Sequence, residues 1–246
     1  MADDHVVYGL HAAESVLERR MGAVRSAVLL DAEPKGRLEA LAARLRAASI
    51  PIERARRDVL DRLARGGVHQ GIVLRVPPPR EQDLRELERL VEAKADSVRL
   101  LILDQVEDPR NVGACLRTAD AAGVDAVVVP KARSAKLGAG AIKTAAGAAE
   151  TVPLIVVPNL ARTLGWLADA GIRLIGADER GGRTLFDADL KPPAAIVLGA
   201  EGKGLRRLTR EACDELVSLP MRGTVESLNV SVAAGILLYE MLRQTR

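Results

Sequence analysis

Three short segments of this 246-residue chain combine polar side chains with turn-forming residues in patterns that can do chemistry. The first, residues 104–113, reads D-Q-V-E-D-P-R-N-V-G and leads into a helical pattern through Leu116, Ala119 and Ala122 to Gly123. Asn111 stands where an N-cap would accept a hydrogen bond from an orphan amide of the first turn. Arg117 follows six residues later, about 9 Å along a helix axis, and helical side chains lean toward the amino terminus. Its guanidinium can thus reach back to the loop mouth and meet an anion there. A capped helix with a solvated arginine fits the same residues.

The second segment, residues 199–205, reads G-A-E-G-K-G-L, with three glycines in six residues. Such a loop turns sharply and lets a backbone come close to a ligand. It is neither a GxGxxG fingerprint nor a Walker loop, because the spacing differs and no Ser or Thr follows Lys203. Glu201 reads instead as a carboxylate on a tight turn, organising amides or pairing with an arginine. The third segment, residues 219–232 (L-P-M-R-G-T-V-E-S-L-N-V-S-V), passes from a strand end through a polar turn into a terminal helix. Val230, Ala233, Ala234, Leu237, Leu238 and Met241 form one apolar stripe of that helix, and Val232, Ile236 and Tyr239 form a second. One stripe suits a core; the other needs a cover, either a second copy of the chain or a groove within it.

The elements that must position these segments alternate between strand and helix. Pro77-Pro78-Pro79 favours an extended connector, so a first domain over residues 1–76, a linker at 77–80 and a second domain over 81–246 are expected. In the first domain, periodicity predicts helices at 11–20, 36–48 and 58–65 and strands at 27–30, 50–53 and 71–76. In the second, a helix containing Leu84, Leu87, Leu90 and Val91 precedes strands at 98–103, 126–129, 154–157, 172–177 and 195–198. These β-branched and leucine-rich runs fit a parallel sheet buried on both faces, whose ligands sit beyond the carboxyl ends of the strands. The loops after Leu103 and Leu198 therefore matter most.

Composition narrows the partners. Only one Phe, one Trp and two Tyr are present, so any base recognition must lean on arginine planes and main-chain groups rather than on rows of stacked rings. A net charge of +3, with residues 78–98 acidic, permits phosphate contacts without demanding them. Cys115 and Cys213 show no metal-ligand spacing and read as small core residues. His5, His11 and His69 are scattered and carry no assigned chemistry, whereas Arg54, Arg56 and Arg57 form a basic cluster able to touch RNA or simply to face solvent. The acidic start and the shortness of the longest apolar stretch point to a cytoplasmic protein without a membrane anchor.

Taken in order, residues 111–117 (N-V-G-A-C-L-R), 198–204 (L-G-A-E-G-K-G) and 219–232 resemble the three motifs of the SpoU/TrmH family of RNA ribose 2′-O-methyltransferases, and 143–153 is similar to a further segment of it. Residues 8–12 (Y-G-L-H-A) and 70–73 (Q-G-I-V) resemble that family's small L30e-like RNA-binding domain, of a type also found in ribosomal proteins. The resemblance implies an α/β protein with a parallel-sheet SPOUT domain threaded into a deep trefoil knot, S-adenosylmethionine as cofactor, no metal, and a homodimer with composite sites. Its two-domain subgroup implies a guanosine ribose of 23S rRNA, naked or in an assembling subunit, as substrate. A tRNA ribose methylase, a resistance methylase and a nonenzymatic RNA-binding protein stand as alternatives.

Position by position, Gly199, Leu219 and Leu228 match the family's cofactor contacts, with Leu198, Ala200, Pro220 and Met221 beside them. Arg117 matches the position that activates the hydroxyl. Asn111, matched to the first motif, would orient RNA and cap its helix, while Glu201 would hold the loops in register. Ser227 and Asn229 would position Arg117 or the substrate phosphate, Asn229 also capping the last helix.

Overall fold

The computed structural model describes residues 5–245, which form two compact units dividing between Pro79 and Arg80. The first unit contains β1 (His5–Tyr8), α1 (Leu10–Arg19), β2 (Ser26–Leu30), α2 (Arg37–Ala47), β3 (Ile52–Ala55), α3 (Arg57–Leu63) and β4 (Ile72–Val76). Its sheet runs β1-β4-β2-β3, with only β2 and β3 parallel. Val16 and Leu17 of α1 and Leu41 and Leu45 of α2 bury against Leu29, Ile72 and Leu74 on one face, and Leu60 of α3 meets Val28 and Val73 on the other.

Two differences from the sequence reading have local causes. Strand β1 buries only Val7, which leaves no alternation to detect. Strand β3 begins two residues later than expected because Pro51 has no N–H to give a ladder. The Arg54 guanidinium donates to the carbonyls of Leu30 (3.3 Å) and Ala32 (2.6 Å), so it braces the loop after β2, and Arg56 pairs with Asp58 at 3.5 Å.

The second unit contains α4 (Leu84–Lys94), β5 (Arg99–Asp104), α5 (Pro109–Ala121), β6 (Ala126–Pro130), α6 (Ala139–Ala145), β7 (Leu154–Val157), α7 (Leu160–Asp169) and β8 (Arg173–Ala177). After these come β9 (Arg183–Thr184), β10 (Ala194–Gly199), α8 (Arg207–Glu211), β11 (Glu215–Ser218) and α9 (Val230–Gln244). Seven strands pair in the order β7-β6-β5-β10-β8-β11-β9, every neighbour parallel. Side chains alternate between the two faces, as strand geometry requires. Leu101, Leu103, Ile196 and Leu198 pack against Val112 and Leu116 of α5 and Leu237, Leu238 and Met241 of α9. Leu100, Ile102, Ala195 and Val197 pack against Leu87 of α4 and Leu164 and Leu167 of α7. Helices on both faces explain why these strands are apolar throughout.

Helix α5 corrects one expectation. Its cap is Asp108, whose Oδ1 accepts from the Arg110 amide at 2.7 Å, with Pro109 at the first helical position. Proline suits that position because its fixed φ is helical and the missing N–H would have been orphaned anyway. Asn111 thus lies inside the first turn with its side chain free for other work. At the other end of the domain, Asn229 does cap α9, accepting from the Ser231 amide at 2.9 Å. The sequence pattern does not place helices α6, α7 and α8; α7 is capped by Asn159, which accepts from the Arg162 amide at 3.1 Å.

Helix α5 approaches α6 where Gly113 has no side chain. A Cβ there would stand 2.4 Å from the Ala141 carbonyl oxygen and 2.8 Å from Thr144 Cβ. Gly113→Ala must therefore separate the helices and destabilise the domain by about 1–3 kcal/mol, read as a lower urea midpoint at unchanged slope.

Candidate active site

Strand β10 ends at Gly199, in register with Asp104 at the end of β5. Beyond it the chain turns tightly, with the Gly204 amide donating to the Ala200 carbonyl at 2.9 Å and both Gly202 and Gly204 at positive φ. A Cβ on Gly199 would lie 2.1 Å from the Gly204 carbonyl carbon, so only glycine lets the loop fold back on its own strand. Two buried carboxylates hold the chain just past this turn. Asp104, fully buried, accepts from the Arg206 amide (3.2 Å) and Nε (2.7 Å), and Asp178 accepts from Arg210 Nε at 2.7 Å. The glycine loop is thus pinned to the ends of β5 and β8.

Glu201, at the tip of that loop, joins all three segments. Its Oε1 accepts from Asn111 Nδ2 (3.0 Å), Asn229 Nδ2 (2.6 Å) and the Val230 amide (3.2 Å). Asn229 Nδ2 also donates to Asn111 Oδ1 at 3.0 Å, while Asn229 Oδ1 accepts from the Ser231 hydroxyl at 2.6 Å. The carboxylate lies at the amino end of α9, where the helix dipole favours negative charge. Residues up to 118 positions apart are locked into one junction.

Beside it lies a cleft of about 280 Å³. Leu198, Leu219, Met221 and Leu228 supply apolar walls, and Gly199, Ala200, Glu201 and Ser227 also line it. Leu219 and Met221 face the cleft, but Pro220 between them is exposed and does not line it, because alternate residues of an extended segment point to opposite sides. The lining also includes Ala177 at the end of β8, Ala233 of the α9 stripe, and Asp178, Glu179, Arg180 and Arg210, the last four of which the sequence pattern does not single out. The rule that ligands sit beyond strand ends would have found the β8 loop, had β8 been known to neighbour β10.

Arg117 does not join this junction within one chain. It is exposed and, among the described residues, its guanidinium has no hydrogen bond or ion pair. Six helical positions place it roughly 120° around α5 from Asn111. Ser227 lines the cleft, likewise without an intrachain hydrogen bond among the described residues. Burial pushes both cysteine thiols up to about 12, so Cys115 and Cys213 stay protonated at neutral pH. No helix among the described residues is long and apolar enough to cross a membrane.

A parallel sheet with its cleft and polar junction at one carboxyl edge defines an α/β protein with a ligand site beyond its strand ends, and comparison with known proteins makes it specific. Residues 99–239 match the SpoU rRNA Methylase family and residues 6–82 match the RNA 2′-O ribose methyltransferase substrate binding family. The chain belongs to the SpoU rRNA methylase family. It is 50% identical over 239 residues to the 23S rRNA (guanosine-2′-O-)-methyltransferase RlmB of Yersinia pestis, an alignment that covers 97% of each chain. Its identity to the protein of that name from Escherichia coli K12 is 49%, covering 97% of this chain and 98% of the relative. Among solved structures, the SpoU methyltransferase AviRb of Streptomyces viridochromogenes in complex with AdoMet aligns with a TM-score of 0.71 at 26% identity, covering 99% of this chain and 91% of that one.

Glu201→Ala removes the shared acceptor of the junction. The Val230 amide should then exchange with solvent roughly tenfold faster, the consequence of losing about 1.4 kcal/mol of charge-assisted hydrogen bonding. Hydrogen exchange read by NMR checks this, with amides in the first unit unchanged.

Proposed function

We propose that this protein is an S-adenosylmethionine-dependent methyltransferase that acts on the ribose 2′-hydroxyl of a guanosine in 23S rRNA. The observation that carries the reading is the Asn111–Glu201–Asn229 junction, which gathers three separated motifs beside a cleft at the carboxyl edge of a parallel sheet. Relatives at about half identity over nearly the whole chain carry that activity in their names. The first unit, in the range matched to substrate binding, would hold the RNA.

The cleft suits the cofactor chemically. Gly199 and Ala200 line it, while Leu198, Leu219, Met221 and Leu228 offer aliphatic cover for an adenine face. When bound, S-adenosylmethionine supplies an electrophilic methyl on a sulfonium. The protein must align a sugar hydroxyl with it and help that hydroxyl lose its proton.

Arg117 is assigned to the second task. A guanidinium stays protonated, so it cannot act as the base itself. It grips the phosphate beside the target ribose and stabilises the developing alkoxide, while a phosphate oxygen or water takes the proton. Asn111 orients the RNA, and Ser227 and Asn229 position the phosphate.

A homodimer completes the site. Val232 (51% exposed), Ile236 (36%) and Tyr239 (52%) leave the second stripe of α9 uncovered, and Arg117 faces outward where a second copy can meet it. The knotted path enters this reading through the family resemblance, and the strand order, with the late strand β10 between β5 and β8, is compatible with it. A cytoplasmic location, with naked or assembling ribosomal RNA as substrate, belongs to the same reading.

Mapping 2′-O-methylation on ribosomal RNA from cells with and without the protein tests the activity; an unchanged 23S pattern would refute it. Arg117→Ala should keep cofactor binding by calorimetry but lose turnover by at least about 100-fold; turnover within a few-fold of wild type would contradict the role. Ile236→Asp should shift sedimentation from dimer to monomer and lower methylation in parallel.

A further inference from the structure

The cleft occupies the half of the carboxyl edge formed by β10, β8 and β11, and the other half, beyond β5 and β6, carries unpaired positive charge. Lys131, Arg133 and Lys136 lie on the loop after β6, Lys143 lies on α6, and Arg110 lies in the first turn of α5. All five are exposed, and among the described residues none of their side chains has a hydrogen bond or ion pair. Elsewhere in this unit arginines commonly find acids, as in Arg89 with Glu86, Arg183 with Glu215 and Arg207 with Glu211.

The loop bearing these cations is held in place. The Ala135 amide donates to the Val106 carbonyl at 2.9 Å, tying it to the loop that leads into α5, and the Leu137 amide donates to Glu81 Oε1 at 2.8 Å. Close packing at Gly113 fixes α6 against α5. Three exposed acids adjoin them, Asp108 held as a cap, Glu81 held by the Leu137 amide, and Glu107, so the five cations outnumber the nearby carboxylates and a net positive charge remains. Between the charged half and the cleft stands the junction of Asn111, Glu201 and Asn229.

Resting on the activity proposed above, we propose that Lys131, Arg133, Lys136, Lys143 and Arg110 form the surface on which the methyltransferase domain holds the phosphate backbone of its RNA. The backbone lies across the β5 and β6 ends, and the strand leads the target ribose past Asn111 to the cleft. Fixed cations on one side of a reaction centre set register and direction without reading sequence. The polyanion is favoured over a small anion because the charges are spread along an edge, over the β6 loop, α6 and the start of α5.

The test uses the full-length chain, a fluorescent 23S rRNA transcript and a series of KCl concentrations. Two double variants, Arg133→Gln with Lys136→Gln and Lys131→Gln with Lys143→Gln, are compared with a charge-matched control, Arg85→Gln with Arg89→Gln on α4 at the opposite face. Each surface variant should raise the RNA Kd about tenfold near 0.1 M salt and flatten the plot of log K against log salt by about 0.7 for each phosphate that is no longer neutralised. Calorimetric binding of S-adenosylmethionine should match wild type in all three. An RNA affinity within about twofold of wild type with the same slope, or an equal loss in the α4 control, overturns the surface. Methyl transfer to the transcript by the wild-type chain, measured alongside, reports on the activity separately.

Discussion

One carboxylate oxygen organises this protein's site. Glu201 Oε1 is the shared acceptor for donors from the start of α5 and the start of α9, while Glu201 itself rides on the loop after β10. A lone acceptor is an economical way to bring distant segments together, because an ionised oxygen has room for several donors and charge-assisted bonds are the stronger kind. Its position at a helix amino terminus adds a favourable dipole. If the segments parted there, the cleft beside them would lose its rim.

That junction works because less visible constraints prepare it. Gly199 lets the loop return upon its strand, and Asp104 and Asp178 grip Arg206 and Arg210 on the far side, so the loop is held at both ends. Removing Asp104 would leave the Arg206 guanidinium without a partner, and removing Asp178 would leave Arg210 only the Leu205 carbonyl at 3.3 Å, so either change would loosen the loop. Pro109 and Asp108 set where α5 begins, and that one-turn displacement from the expected start turns Asn111 from a cap into a tie between motifs. Cleft, junction and cationic edge then succeed one another along the carboxyl ends of a single sheet. Under the proposed function, that order lets RNA be held by its backbone while one sugar oxygen reaches the cofactor.

Much of this was legible in the chain itself. Apolar runs such as Leu100–Leu101–Ile102–Leu103, buried on both faces, mark central parallel strands, and the alternation of strand and helix marks the α/β class. The segments containing Asn111, Glu201 and Asn229 stood out because glycine, proline and capping residues have backbone requirements that do not depend on distant contacts. Short elements did not stand out: β1, with one buried side chain, and the two-residue β9 are too brief for periodicity to register.

Tertiary structure decided the rest. Strand β10 pairs with β5 across 95 residues, which no local pattern encodes, and its pairing with β8 on the other side brings Asp178, Glu179 and Arg180 to the cleft. Folding likewise decided that Pro220 faces away, that Arg54 braces a loop, and that Arg117 projects from its own chain. By itself the sequence determined which segments turn, cap and bury, because those preferences act within a few residues. Which segments meet was decided only by folding, because hydrogen bonds and side-chain packing act over a few ångströms in space whatever the separation along the chain.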